Sequence, residues 1–259
     1  MSNGLENPLR DRVALVTGAG RGIGREIAIG LAAMGARVAL VARSENELGE
    51  AVAEIHAAGG IATAVVTDVQ DAGKLHAGVQ RVRAELGSPE VLINNAAVVT
   101  PIGPTDTLDR MVIAAAAAIN IVAPISLSAM LLPGMTGAGW GRIVNISSGI
   151  VGSPGSSPGM TVYAACKAAL EAHTLNLAAE LDGTGVTVNA YRPGAVDTAM
   201  QRWIREQPAE QIGAALHDRF AAMHTEGRLI TSEQSARLLL DRITGPQNGQ
   251  IWSVTDSAQ

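Results

Sequence analysis

Thr17-Gly18-Ala19-Gly20-Arg21-Gly22-Ile23-Gly24 joins two segments of different periodicity. Before it, Val13–Thr17 is a short apolar run with β-branched residues and predicts a buried strand. After it, Ile23, Ile27 and Leu31 recur at helical spacing over Gly22–Met34, and Gly35 suits the C-terminal cap. A strand, a glycine turn and a helix in this order form the place where an open parallel sheet receives the phosphates of a dinucleotide. Gly18 can make the turn, Gly22 lets backbone approach a pyrophosphate, and Gly24 lets helix and strand pack closely. The helix start adds free N–H groups and the positive end of its dipole. A tight turn without ligand fits the same glycines, so the chemistry rests on what lies downstream.

The alternation continues along the chain. Strands are predicted at Arg37–Val41, Ile61–Val66, Val91–Asn94, Arg142–Ile146, Val186–Tyr191 and Gln250–Val254. Between them come a helix opened by a Ser44/Glu47 capping box and ended by Gly59-Gly60, then helices at Asp71–Leu86 and Tyr163–Leu181. A long helix, Thr107–Leu132, ends at Pro133-Gly134; a helical region spans Ala199–Met223, and a last helix spans Ser232–Arg242. Regular β-α alternation implies a doubly wound, Rossmann-like parallel sheet with helices on both faces. No linker, repeat or composition break divides it. The expectation is a short flexible tail over residues 1–11 and one α/β domain over 12–259, with a substrate lid near 199–228.

Composition narrows the function. The net charge is −5 and the basic residues do not cluster, which argues against nucleic acid. The single cysteine, Cys166, excludes an internal disulfide and fits a reducing, cytoplasmic setting. The five histidines show no metal-ligand spacing, so no metal is expected. Met111–Leu132 is uncharged and long enough to span a bilayer. It is mostly alanine, carries Asn120, Pro124, Ser126 and Ser128, and lacks flanking aromatics, which favours burial within protein over a membrane.

Tyr163-Ala164-Ala165-Cys166-Lys167 puts Tyr and Lys one helical turn apart on one face. A nearby ammonium favours a phenolate and would lower the Tyr pKa toward the range useful for acid-base work. Upstream, Arg142–Ile146 ends in Ser147-Ser148, where a hydroxyl can stabilise charge growing on a carbonyl oxygen. With the spacing G-x-x-x-G-x-G after Thr17, these motifs make the chain resemble the short-chain dehydrogenase/reductase family over roughly Arg12 to Val254.

The resemblance implies roles. Tyr163 becomes the general acid/base, Lys167 its partner and a ligand of the nicotinamide ribose, and Ser148 the group that orients the substrate oxygen, with Ser147 as the alternative. Fifteen positions separate Ser148 from Tyr163, slightly more than in the family, and the extra residues should bulge outward in the Gly149–Gly159 loop. Asn120 matches the family's helix Asn that anchors a proton relay. Pro124 lacks an N–H and crowds the Asn120 carbonyl, so a kink is expected there. The implied cofactor contacts come from Gly18, Arg21, Gly22, Ile23, Gly24, Arg43, Asp68, Val69, Asn95, Ala96, Pro193, Gly194, Val196 and Thr198, besides Tyr163 and Lys167. Asn94-Asn95-Ala96-Ala97 departs from the family's pattern at Ala97, and Asp68 would serve equally as a turn or cap residue.

Ala42 stands where NAD-dependent members carry an acidic residue, Arg43 follows it, and Arg21 points to the same region. A guanidinium grips a phosphate with two hydrogen bonds, so NADP(H) is the expected cofactor. The lid offers Met200, Trp203, Phe220 and Met223 as apolar walls, which suits a small, moderately apolar ketone or alcohol. An epimerase or dehydratase with bound NAD and a non-catalytic dinucleotide sensor are the alternatives. The family buries helices equivalent to Thr107–Leu132 and Tyr163–Leu181 across subunit axes, which implies a homotetramer, with a dimer next.

Overall fold

Seven apolar runs become seven parallel strands: β1 Val13–Thr17, β2 Arg37–Ala42, β3 Ile61–Val66, β4 Val91–Asn94, β5 Gly141–Ile146, β6 Val186–Arg192 and β7 Ile251–Ser253. They lie in the order β3-β2-β1-β4-β5-β6-β7, as the doubly wound reading expects. The order reverses beside β1, so a crevice opens between the carboxyl ends of β1 and β4. The structure, a computed structural model, describes residues 7–256.

The helices are α1 Gly22–Ala33, α2 Glu45–Ala57, α3 Ala72–Glu85, α4 Arg110–Ala117, α5 Ala123–Gly137, α6 Thr161–Glu180, α7 Ala199–Arg205, α8 Ala209–Ile212, α9 Ala214–Thr225 and α10 Ser232–Ile243. One apolar core joins a sheet face to Ile27 and Leu31 of α1, Leu48 and Ile55 of α2, and Leu239 of α10. The second joins the opposite face to Val79 of α3, Leu127 and Leu131 of α5, and Leu177 of α6. The sheet is thus covered on both sides, which is why its central strands are buried along their whole length.

Four expectations need correction. The first is the tail: Leu9 is 0% exposed and packs in the first core, and its N–H donates to the Met34 carbonyl at 3.1 Å. Residues 7–11 are therefore docked by an apolar anchor, while 1–6 lie outside the described residues. The second is the long helix. It starts at Arg110, where Asp109 accepts from the N–H groups of Met111 and Val112, and it runs past Pro133 to Gly137. Pro133 and Ala129, whose hydrogen bond the proline forfeits, both face solvent, so the break costs little and Met135 still reaches the core.

Third, the capping box at α2 is half formed. The Ser44 hydroxyl accepts from Glu47 N–H at 3.3 Å, but the Glu47 carboxylate turns to Arg21. Fourth, the helical region after Ala199 is three helices, divided at Pro208 and at Gly213, whose φ is 89°. The irregularity expected at Asn120 takes the form of a π-helical turn, Ala118–Val122, two residues ahead of Pro124.

Candidate active site

The carboxyl ends of β1, β4, β5 and β6 deliver the functional side chains. At the end of β1, Gly18 and Gly22 have φ of 64° and 58°, conformations that side chains rarely tolerate. A Cβ on Gly18 would also lie 2.8 Å from the Asn95 amide, and one on Gly24 would collide with the Gly18 carbonyl. A Cβ on Gly22 would meet nothing closer than Thr198 Cγ2 at 3.6 Å, so that side of the turn is open. Among the described residues no side chain caps α1: its N-cap residue is Arg21, which makes no side-chain cap hydrogen bond. Uncapped N–H groups beside an open glycine fit a pyrophosphate.

Asn95 holds this turn in shape. Its amide donates to the carbonyls of Thr17 at 2.9 Å and Gly18 at 3.1 Å, while Thr17 Oγ1 accepts from the N–H groups of Asn95 and Ala96. The Asn95 amide is committed to the turn, so it bears on a cofactor through the turn's geometry. Thr198 closes the opposite side as the N-cap of α7, after Gly194 with φ of 80° and the buried Val196 bridged to Ile230. The turn at β1 and the Pro193–Thr198 segment therefore face each other.

At the end of β2, Arg21 Nη1 lies 3.3 Å from Glu47 and Arg43 Nη1 lies 3.8 Å from Asp68, with both arginine side chains largely exposed. Asp68 also accepts from the backbone and side chain of Gln70, a turn role, while Val69 is buried in the core.

Lys167 is 2% exposed, and its ammonium donates to the Ile146 carbonyl at 2.7 Å. Tyr163, one turn earlier on α6, places its ring centroid 5.7 Å from that ammonium. Burial dominates both groups. It pushes the Tyr163 phenol up to about 12, with the Ser148 hydroxyl pulling partway back, and pushes Lys167 down to about 8. The expected lowering of the Tyr163 pKa is not met: desolvation by burial sets the direction, and what opposes it is the Ser148 hydroxyl.

The two serines separate cleanly. Ser147 is buried and its hydroxyl donates to Glu171 at 2.6 Å, whereas Ser148 is the hydroxyl beside Tyr163. Asn120 donates to the Val98 carbonyl at 2.9 Å and accepts from the Val98 N–H at 3.3 Å, tying the π turn to the segment after β4. The Gly149–Gly159 loop does bulge outward, with Gly152–Ser156 exposed.

A phenol, a buried ammonium, a hydroxyl and an open glycine turn lie at the carboxyl end of the sheet. The family profile for short chain dehydrogenase matches residues 12–209. The chain belongs to that family. A 3-oxoacyl-(acyl-carrier-protein) reductase of Pseudomonas aeruginosa is 38% identical to it over 79% of this chain and 81% of that one. The short-chain reductase NovJ of Streptomyces niveus is 34% identical over 95% and 92%. Among solved structures, a single-substitution variant of actinorhodin polyketide ketoreductase with NADPH superposes with a TM-score of 0.83 at 32% identity, covering 94% of this chain and 95% of that one. This short chain dehydrogenase interconverts a carbonyl and an alcohol, and its relatives favour neither the epimerase nor the sensor reading.

Sequence reasoning missed Glu171 and Arg192. The signal was present: an acid four residues after Lys167 on one helix face, and a base just before Pro193.

Proposed function

We propose that the protein is an NADP(H)-dependent reductase of small, moderately apolar ketones, running also in reverse as an alcohol dehydrogenase. The convergence of Tyr163, Lys167 and Ser148 beside the glycine turn carries the reading. The bound nicotinamide supplies the hydride. Tyr163 donates the proton to the substrate oxygen, Ser148 hydrogen-bonds that oxygen and stabilises its growing charge, and Lys167, held by the Ile146 carbonyl, would hold the nicotinamide ribose when the cofactor is bound. Asn120 anchors the proton relay that recharges Tyr163.

The described residues 7–256 act as one unit, with the segment 199–228 as substrate lid. Phe220, Leu216 and Ile212 of the lid, with Met200 and Trp203, cluster over Tyr163 beside Val99, Ile102 and Met160. These apolar side chains support an apolar substrate.

Arg21 and Arg43 select NADP(H). Their present partners are exposed ion pairs, each worth about 0–1 kcal/mol. Hydrogen bonds to a phosphate are worth about 1.5–3 kcal/mol each, so a 2′-phosphate displaces those partners. Arg43→Ala should weaken NADPH binding by roughly tenfold or more, leaving NADH nearly unaffected. Fluorescence titration of both cofactors tests this; equal wild-type affinities, or tighter NADH, would contradict it.

The protein works in the cytoplasm as a tetramer, with a dimer as the smaller unit. The segment Arg110–Gly137 is long and apolar enough to cross a membrane, with a mean hydropathy of 2.0 over its most apolar 18 residues. Its inner face packs on the sheet through Leu127, Leu131 and Met135, while Met111, Val112, Val122 and Ile125 are exposed, as is Leu175 on α6. A second copy covering that stripe explains it without a bilayer. Light scattering at micromolar concentration should return a tetramer mass, and a monomer would refute the assembly.

A further inference from the structure

Glu171 is 5% exposed and holds three hydrogen bonds. Its Oε1 accepts from Ser147 Oγ at 2.6 Å and Arg192 Nε at 2.8 Å, and its Oε2 accepts from Arg192 Nη2 at 2.8 Å. The guanidinium in turn stands over Gly152, where an added Cβ would lie 2.7 Å from Nη1. Ser147 is fixed from its other side, its N–H donating to the Tyr191 carbonyl at 2.7 Å. One buried carboxylate thus ties together the end of β5 just before Ser148, helix α6 one turn past Lys167, and the end of β6 just before Pro193.

We propose that Glu171 and Arg192 are positioning residues, which hold Ser148 and the Pro193–Gly194 turn in fixed register with Tyr163 and Lys167. The inference rests on the catalytic reading above, and it gives both residues their role through Ser147, Gly152 and the strand ends they hold. A buried charge pair is a poor source of stability, because desolvation offsets its attraction. Its two-point geometry is what an apolar pair could not supply: a bidentate guanidinium fixes angle as well as distance. A displacement of about 1 Å at the reacting groups costs on the order of 10²-fold in rate.

The test uses the full chain, with apolar ketones as substrates and rates expressed per NADPH-binding site. Glu171→Gln should lower kcat by about tenfold or more, while the Kd for NADPH moves little, because the contacts at Gly18–Gly24 remain. The double variant Glu171→Leu/Arg192→Met replaces the ion pair by apolar groups and should melt near the wild-type Tm, yet keep the low kcat. Wild-type kcat in Glu171→Gln, or recovery of both Tm and kcat in the double variant, would overturn the proposal and leave the pair purely structural. Should the double variant fail to fold, kcat of Glu171→Gln decides alone. Failure of the catalytic reading shows differently, as full activity in Ser148→Ala and Tyr163→Phe.

Discussion

Replacing Tyr163 by phenylalanine should lower turnover by roughly 10²–10⁴-fold, the contribution of a positioned general acid. NADPH binding should persist. The change removes one oxygen from a ring packed among Val99, Met160 and Phe220, so the apolar contacts that order α6 and the lid survive. Burial keeps the Tyr163 proton in place at neutral pH, with the phenol pushed up to about 12. Reduction consumes that proton, so its rate should hold through the neutral range and fall on the alkaline side. There Lys167, pushed down to about 8, is the first of the pair to titrate. Oxidation needs the phenolate and should rise with pH. Steady-state rates in both directions, with NADPH binding measured on the same samples, check this; near-normal turnover in the variant would remove Tyr163 from the mechanism.

A comparable loss is expected at Gly24, through shape instead of chemistry. A single methyl there would run into the Gly18 carbonyl and the Asn95 amide, both backbone-anchored parts of the turn. Helix α1 would have to move off the turn, carrying its free N–H groups away from the pyrophosphate. Overpacking of this kind costs about 1–3 kcal/mol. Gly24→Ala should therefore lower Tm and weaken NADPH by roughly an order of magnitude. Gly49 is the control: it sits inside α2 with nothing near its missing Cβ, so Gly49→Ala should leave cofactor binding unchanged and stabilise by about 0.5–1 kcal/mol. A Gly24→Ala protein with wild-type NADPH affinity would show that the close approach of α1 is not what shapes the site.

Periodicity carried most of the fold. All seven strands lie where short apolar runs predict them, because a sheet covered on both faces demands continuous apolar strands. What periodicity misjudged were features decided by distant contacts. Leu9 reads as part of a short flexible tail, yet it is an anchor because the end of α1 leaves it a core position. Pro133 reads as a helix stop, yet the turn it weakens faces solvent. Within the candidate site, spacing and resemblance named Tyr163, Lys167 and Ser148, with Ser147 as the alternative. What the sequence did not show is that Glu171, a residue remote in sequence, claims the Ser147 hydroxyl and leaves that of Ser148 beside Tyr163. The Tyr163 pKa was misjudged for a related reason: a sequence shows the neighbouring ammonium but not the desolvation around both groups.

Transfer of the hydride itself tests the central claim most directly. Wild-type protein is incubated with NADPH deuterated at the transferable position and a series of apolar ketones, and the alcohols are analysed by mass spectrometry. The account predicts one deuterium on the carbinol carbon of the alcohol formed, and formation of that product slowed by roughly 10²–10⁴-fold in Tyr163→Phe. NADPH that binds but yields no labelled alcohol from any ketone would contradict it and turn the reading toward a cofactor sensor.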